Sequence, residues 1–468
     1  MKKNLVMMKR LLVTAFAILL LPSLAAAKSD GYKFTLQIDG CTDSMVLLCY
    51  YHAQTERILD TAFNNGRGRF LFQGTRTLEP GLYFFSNEKG RKVDFVVYHE
   101  KPVFKFHTDQ RDWMRNMSVS GSRQNTLFFN FNRSTEHYYD AVRDARDEMD
   151  SAAFLEFRRQ QFLRVDTLRL DFIARHPESM LARMMMASKD PLPPPDSVTG
   201  NDRYFYIMHH FFDNMPLDDN FIIRTPRSVF YNRIDEYVDK RMQGLPPELI
   251  IPLLDTLIDR SEPAPEVFKW LVLTLTERYL QSNIMVYDEV YVHLVQRYFA
   301  TGKVTFLPPS TVDEQVTRAS KWEHLLVGRE APELILFDTT RRVWSLHHMP
   351  GRYTLLLFWS PTCGHCRTII PEVYQVFDRV ADSLDMTAFA ILSEPEEHTV
   401  EKWKTFLADH HMTNPRWVNL NGGEANIDWR EVYDVQTTPQ IYLIDNDTHK
   451  FLAKKLSADL LELICKRL

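Results

Sequence analysis

From residue 32 the apolar positions alternate. Tyr32, Phe34, Leu36 and Ile38 fall on one side, and Lys33, Thr35 and Gln37 on the other, which is the period of a half-buried β-strand. Short runs of the same kind recur at 45–51, 69–73, 82–85, 93–97 and 103–106, parted by the turn sequences Asn64-Asn65-Gly66 and Glu79-Pro80-Gly81. Residues 28–120 are therefore expected to form a small antiparallel β domain, an all-β sandwich or barrel. Its aromatic residues are read as core, and no catalytic constellation stands out among them.

Past Gly121 the period changes. Residues 125–148 and 152–176 read as two long helices and 179–189 as a third. Met184, Met185 and Met186 are consecutive, so on a helix they point to different faces and serve as core filler rather than as a copper site. The run 190–196 (Asp-Pro-Leu-Pro-Pro-Pro-Asp) is a stiff linker or loop. Four more helices are expected at 225–241, 247–260, 265–281 and 287–299, with prolines at or near their first turns. No repeat signature appears, so 121–322 is read as an all-α region and not as a solenoid.

From about Trp322 strands and helices alternate, which implies an α/β sheet with both faces covered. The apolar run Leu355–Leu357 reads as a buried strand. Ile369, Val373, Val376, Phe377 and Val380 then mark one face of a helix. A strand is expected at 387–392, a helix at 399–410 and a short helical stretch around Trp429. A strand after Pro439, a turn at 445–447 and a final helix from Ala458 complete the domain.

The start of the chain has a different character. Lys2, Lys3, Lys9 and Arg10 precede an apolar run over 11–21, followed by Ser23-Leu24-Ala25-Ala26-Ala27. A basic segment, an apolar segment and a small-residue site form a signal peptide over 1–27, with cleavage expected after Ala27. The apolar run is short for a membrane span. No cysteine follows the cleavage site, and no later segment is apolar enough to cross a membrane. The mature protein is expected to carry no integral membrane segment and to be exported, into the periplasm of a Gram-negative bacterium. A net charge of −5 over 468 residues gives no electrostatic case for nucleic acid.

Export bears on the five cysteines, Cys41, Cys49, Cys363, Cys366 and Cys465. So few in so long a chain do not make a disulfide scaffold. Cys41 and Cys49 are read as two packed apolar residues of the β domain, and Cys465 as a packed thiol on the last helix near Leu461. Cys363 and Cys366 are different. They sit two residues apart where the buried strand becomes a helix. A helix N-terminus carries unpaired N–H groups and partial positive charge, so a thiolate at Cys363 is favoured and nucleophilic. Cys366, one turn later, can resolve a mixed disulfide. A zinc site would need a second pair at ligand spacing, which His209-His210, His347-His348 and His410-His411 do not supply. Arg367 stands where a c-type haem motif has histidine.

The stretch Phe358-Trp359-Ser360-Pro361-Thr362-Cys363-Gly364-His365-Cys366 resembles the thioredoxin superfamily, and more closely its exported TlpA/ResA-like branch. The Cys-Gly-His-Cys centre is similar to that of protein disulfide isomerases. Pro371 matches the kink proline of the family's active-site helix, and Thr437-Thr438-Pro439 matches its cis-proline loop, which faces the cysteines. Residues 331–338 and 343–346 look like the family's opening hairpin. The chain departs from the pattern at Leu357 and Ile369, positions where relatives carry an acid near the resolving cysteine.

The resemblance implies a thioredoxin-like domain over 323–468, a central mixed sheet flanked by helices, placed after the β domain and the helical region. It implies catalytic Cys363 and Cys366 joined by a redox-active Cys363–Cys366 disulfide. Thr438 and Pro439 would bind substrate, and Gly364, His365 and Trp359 would tune the pair. The activity implied is thiol–disulfide exchange in cell redox homeostasis, with protein thiols or disulfides as substrates and a redox partner protein. No cofactor and no metal are expected. His365 is expected to stabilise the Cys363 thiolate and so to make the pair more oxidising than that of thioredoxin.

Two other classes are compatible with the fold. A binding protein on a thioredoxin scaffold would hold the cysteines in a structural disulfide. A peroxiredoxin-like thiol peroxidase needs Pro-x-x-x-Thr-x-x-Cys, a spacing that Pro361-Thr362-Cys363 does not provide.

Overall fold

The computed structural model describes residues 31–468, apart from Thr339, Pro395 and the side chains of Glu397 and His398. The signal-peptide reading of 1–27 lies outside the described residues. The chain divides into two compact units that part between Arg241 and Met242, inside the stretch read from the sequence as one helical region.

The first unit opens with eight strands: β1 (Tyr32–Asp39), β2 (Met45–His52), β3 (Thr55–Phe63), β4 (Arg69–Gly74), β5 (Gly81–Asn87), β6 (Lys92–Val97), β7 (Val103–Asp109) and β8 (Ser118–Ser120). They make two four-stranded sheets, in the orders β4-β1-β7-β8 and β3-β2-β5-β6. Phenylalanines hold the sheets together. Phe34 and Phe106 of one sheet meet Phe95 of the other at ring distances of 5.3 and 4.9 Å, and Phe72 stacks on Phe85 at 5.3 Å. This is a sandwich core built from inward-facing alternate residues.

The strand β3 was not legible in the sequence. It is an edge strand whose residues are almost all exposed or half-exposed, Ile58 and Phe63 included, so no apolar alternation marks it. β1 and β7 run parallel, a departure from the antiparallel pattern expected. They are parallel because the whole second sheet is threaded between them, a connection long enough to cross over. β6 is also an edge, and the Asn125 side chain closes it. Its Oδ1 accepts from the Val96 N–H and its Nδ2 donates to the Val96 carbonyl, both at 2.7 Å.

Helices follow at Arg123–Ala145, Ser151–Arg175, Met180–Ala187 and Gly200–His210. Asp150 and Ser179 cap the second and third through side-chain oxygens. The continuous helix expected at 225–241 is not formed. A 3-10 turn (Asn220–Arg224) ends just before that stretch, which itself holds a five-residue helix (Tyr231–Asp235) and a π-helical turn (Glu236–Arg241).

The second unit begins with the helices Pro247–Asp259, Pro265–Leu280, Asp288–Leu294 and Pro309–His324. Pro247, Pro265 and Pro309 stand in first turns, where the missing N–H leaves nothing unpaired. A seven-stranded mixed sheet follows: β9 (Ile335–Asp338), β10 (Val343–Ser345), β11 (Tyr353–Trp359), β12 (Met386–Leu392), β13 (Trp417–Asn421), β14 (Gln440–Asp445) and β15 (Lys450–Lys454). Its order is β10-β9-β13-β12-β11-β14-β15. β11 lies parallel to β12 and antiparallel to β14. Every residue of β11 and β12 is buried, as helices on both faces require. The core therefore forms two layers, one on each side of the sheet. Among the described residues no helix is long and apolar enough to cross a membrane.

Candidate active site

β11 delivers the chain to the site. Its last residue, Trp359, pairs with Leu392 of β12, so Ser360 and Glu394 emerge at the same edge of the sheet. Ser360 is fully buried and its hydroxyl donates to Glu394 at 2.8 Å; Thr362 also hydrogen-bonds that carboxylate. The Thr362 N–H in turn donates to the Ser360 hydroxyl at 3.1 Å. The loop entering the cysteines is thus fixed by one carboxylate and two hydroxyls. The sequence reading missed Glu394. Its signal was positional, since loops at the carboxyl ends of parallel strands carry the sites of open α/β sheets.

Cys363 is the N-cap of the helix Gly364–Val380. Ile370, Val373, Val376 and Phe377 bury one face of this helix, and Pro371 lies within it. From the other side, the loop before β14 brings up Thr438, and the Thr438–Pro439 peptide bond is cis. The Cys363 thiol donates to the Thr438 carbonyl at 3.2 Å, and the Thr438 side chain hydrogen-bonds to both sulfurs.

The two thiols have opposite electrostatics. Burial raises the Cys363 pKa. Hydrogen bonds from the Thr438 side chain, the Cys366 N–H and thiol, and the His365 N–H outweigh it, so Cys363 is held below the ordinary thiol value. Cys366 is fully buried, and burial first, then the neighbouring Cys363, push its pKa up to about 12. One sulfur is half-exposed and easily ionised; the other is enclosed and protonated.

The remaining residues singled out in the sequence fall as follows. His365 is exposed, and it is its backbone N–H that bonds to the Cys363 sulfur. Gly364 is exposed, and a Cβ there would meet no atom within 4 Å, so packing does not require glycine. Trp359 is fully buried in the same core cluster as Cys366, with its ring 5.2 Å from that of Phe406. Leu357 and Ile369 pack into that cluster too, so no carboxylate stands at either place. All five cysteines are thiols here, so the Cys363–Cys366 bond is not formed in this structure.

Replacing His365 with proline removes the N–H that stabilises the Cys363 thiolate, and with it part of the stability of the dithiol form. The reduction potential of the pair is expected to fall by about 30 mV, the equivalent of about 1.4 kcal/mol for two electrons. His365→Ala keeps the N–H and should move it much less. Equal shifts in both variants, read against a glutathione buffer, would assign the effect to the ring instead.

Parts of the chain are similar to known proteins. A family model described as a domain of unknown function (DUF4369) matches residues 32–128. The thiol-disulfide oxidoreductase ResA of Bacillus cereus is 24% identical over 128 residues, 27% of this chain and 69% of that protein. The thiol-disulfide oxidoreductase YkuV of Bacillus subtilis is 25% identical over 92 residues, 20% of this chain and 59% of that protein. Among solved structures, a thioredoxin-like protein from Bacteroides caccae is 18% identical, with 59% of this chain and 97% of that chain covered and a TM-score of 0.48. A domain of a possible thiol-disulfide isomerase from Cytophaga hutchinsonii is 26% identical, with 30% and 92% covered and a TM-score of 0.27. With a strand–CxxC–helix centre facing a cis-proline loop, and with ResA and YkuV as relatives in sequence, the chain is similar to the TlpA/ResA-like proteins of the thioredoxin superfamily.

Proposed function

We propose that the protein is an exported thiol–disulfide oxidoreductase that exchanges its Cys363–Cys366 pair with protein thiols and disulfides. The observation that carries this reading is the asymmetry of the two sulfurs: a half-exposed Cys363 with a lowered pKa above a fully buried Cys366 with a raised one. A structural disulfide needs no such difference, whereas exchange needs an ionised attacker and a protected resolver.

In the reducing direction the Cys363 thiolate attacks one sulfur of a substrate disulfide. That S–S bond breaks, a mixed disulfide forms at Cys363, and the first substrate sulfur leaves as thiolate and takes up a proton. Cys366 then loses its proton, attacks Cys363 and releases the second substrate thiol. Two electrons have passed to the substrate, and the protein holds the Cys363–Cys366 disulfide, which a redox partner protein must reduce again. The oxidising direction is the same sequence in reverse. Thr438 lies beside both sulfurs, where its backbone can pair with an extended substrate segment in the manner of an added strand. Export to the periplasm of a Gram-negative bacterium rests on the basic, apolar and small-residue segments of 1–27.

The test is turnover of a protein disulfide such as insulin's with excess dithiol, comparing the mature protein with Cys363→Ser. Turnover in the first and none in the second is expected. Equal rates would overturn the proposal.

A further inference from the structure

One wall of the cavity beside the cysteines does not come from the thioredoxin sheet. The cavity, of ≈ 490 Å³, is bounded by His365, Ile369, Thr438 and Pro439 on the active-site side. Opposite stand Trp322 and Leu325, at and just past the end of the helix Pro309–His324, and Asp288, at the start of the helix Asp288–Leu294. A space of this size beside a reactive thiol suits one large side chain with its flanking backbone.

The carboxylates and ammonium groups at this cavity already have partners within the protein. Asp288 is fully buried, with the ammonium groups of Lys454 and Lys455 each 2.7 Å from its carboxylate. Lys454 also donates to the Leu325 carbonyl at 3.1 Å, and Lys455 to the Ser282 carbonyl at 2.8 Å. Both ammonium groups lie over the Trp322 indole, 5.7 and 5.5 Å from the ring centre. The indole N–H donates to Asp434 at 2.7 Å. Asp434 and Lys455 both hold left-handed backbone conformations, with φ of 47° and 56°, which non-glycine residues adopt only where their surroundings impose it. Trp322 and Asp288 therefore fix two loops at once: the one leading to Thr438 and the one after β15.

We infer that this cavity receives a large uncharged side chain, aromatic or aliphatic, next to the cysteine of a polypeptide substrate, and that Trp322 is the residue selecting it. The inference rests on the oxidoreductase reading. A substrate carboxylate or ammonium entering here would lose its water and find each opposite charge already engaged. An apolar side chain would instead pack against the partly exposed Trp322, Ile369 and Pro439.

The test uses the reduced full-length mature protein and three symmetric peptide disulfides, in which the cysteine is flanked on both sides by Phe, Lys or Glu. The bimolecular rate with 2-hydroxyethyl disulfide is measured alongside. The Phe peptide is expected to react about tenfold faster than either charged peptide, the size of preference an apolar pocket gives. Trp322→Ala should bring the three peptide rates together, while Trp322→Phe, which keeps a ring, should preserve most of the preference. Should Trp322→Ala fail to fold, Trp322→Leu tests the same wall. Three equal rates in the unaltered protein, or a Trp322→Ala variant that slows all peptides alike, would overturn the selection. No reaction even with 2-hydroxyethyl disulfide would instead overturn the oxidoreductase reading, and this inference with it.

Discussion

Cys366→Ser is expected to stop turnover and to leave substrate covalently attached at Cys363. Cys366 is fully buried and its thiol pKa is pushed up to about 12, so it does not compete for the incoming disulfide. Its part comes after the mixed disulfide has formed, when it sits one helical turn from the bonded Cys363 sulfur. A serine hydroxyl fills the space but cannot displace a sulfur at neutral pH. Multiple turnover should fall by about a thousandfold or more, as when any one member of a nucleophilic pair is removed. Intact-protein mass and non-reducing gels should show a one-to-one adduct that added dithiol releases. Sustained turnover without an adduct would mean that Cys366 is not the resolving group.

The second large effect is on stability. Asp288→Leu leaves the buried Lys454 ammonium, 5% exposed, and its neighbour Lys455 without their shared carboxylate. Removing one partner of a buried ion pair destabilises by about 3–5 kcal/mol, because the remaining charge has neither water nor counter-ion. The pH dependence follows from Lys454. Burial already holds its pKa below the ordinary lysine value, with Asp288 opposing that shift; without Asp288 the depression deepens. A depressed lysine binds fewer protons folded than unfolded, so stability rises with pH between the two pKa values. The deficit of the variant should therefore be full at neutral pH and shrink as pH approaches the unfolded lysine value of about 10.4. Urea unfolding at pH 7 and pH 10 measures both. A deficit independent of pH would mean that lost packing and not the stranded charge is responsible.

The strand–CxxC–helix arrangement at the cysteines was legible in the chain because every cue there is local. A buried run, two cysteines and an amphipathic helix stand in immediate succession, and the Thr438–Pro439 loop is followed directly by an apolar strand. The opposing wall was not legible. Nothing in the sequence marks Lys454 as buried, and only a partner 166 residues earlier makes its burial tolerable. The strands β13 and β15 escaped for related reasons. β13 includes Asn419 and Asn421, and β15 begins and ends in lysine. The helix Pro309–His324 buries only Ala319 fully, so its apolar stripe was too faint to find. It nonetheless carries Trp322 to the cavity.

The effect expected of His365 shows the same limit from another side. The residue was singled out for its ring, but its backbone N–H is what the fold presents to the sulfur. That contribution belongs to the helix N-terminus, and any residue but proline would supply it. The parting of the two compact units at 241/242 likewise has no compositional mark, since helices of similar character lie on both sides.

The most direct test of the central claim is the pH dependence of alkylation at each of the two cysteines in the reduced protein, followed by peptide mass spectrometry with iodoacetamide. Modification of Cys363 alone, with a midpoint below the ordinary thiol value of about 8.5 and Cys366 unmodified throughout the neutral range, is the predicted result. Equal labelling of both cysteines, or a Cys363 midpoint above that value, would contradict the assignment of attacker and resolver.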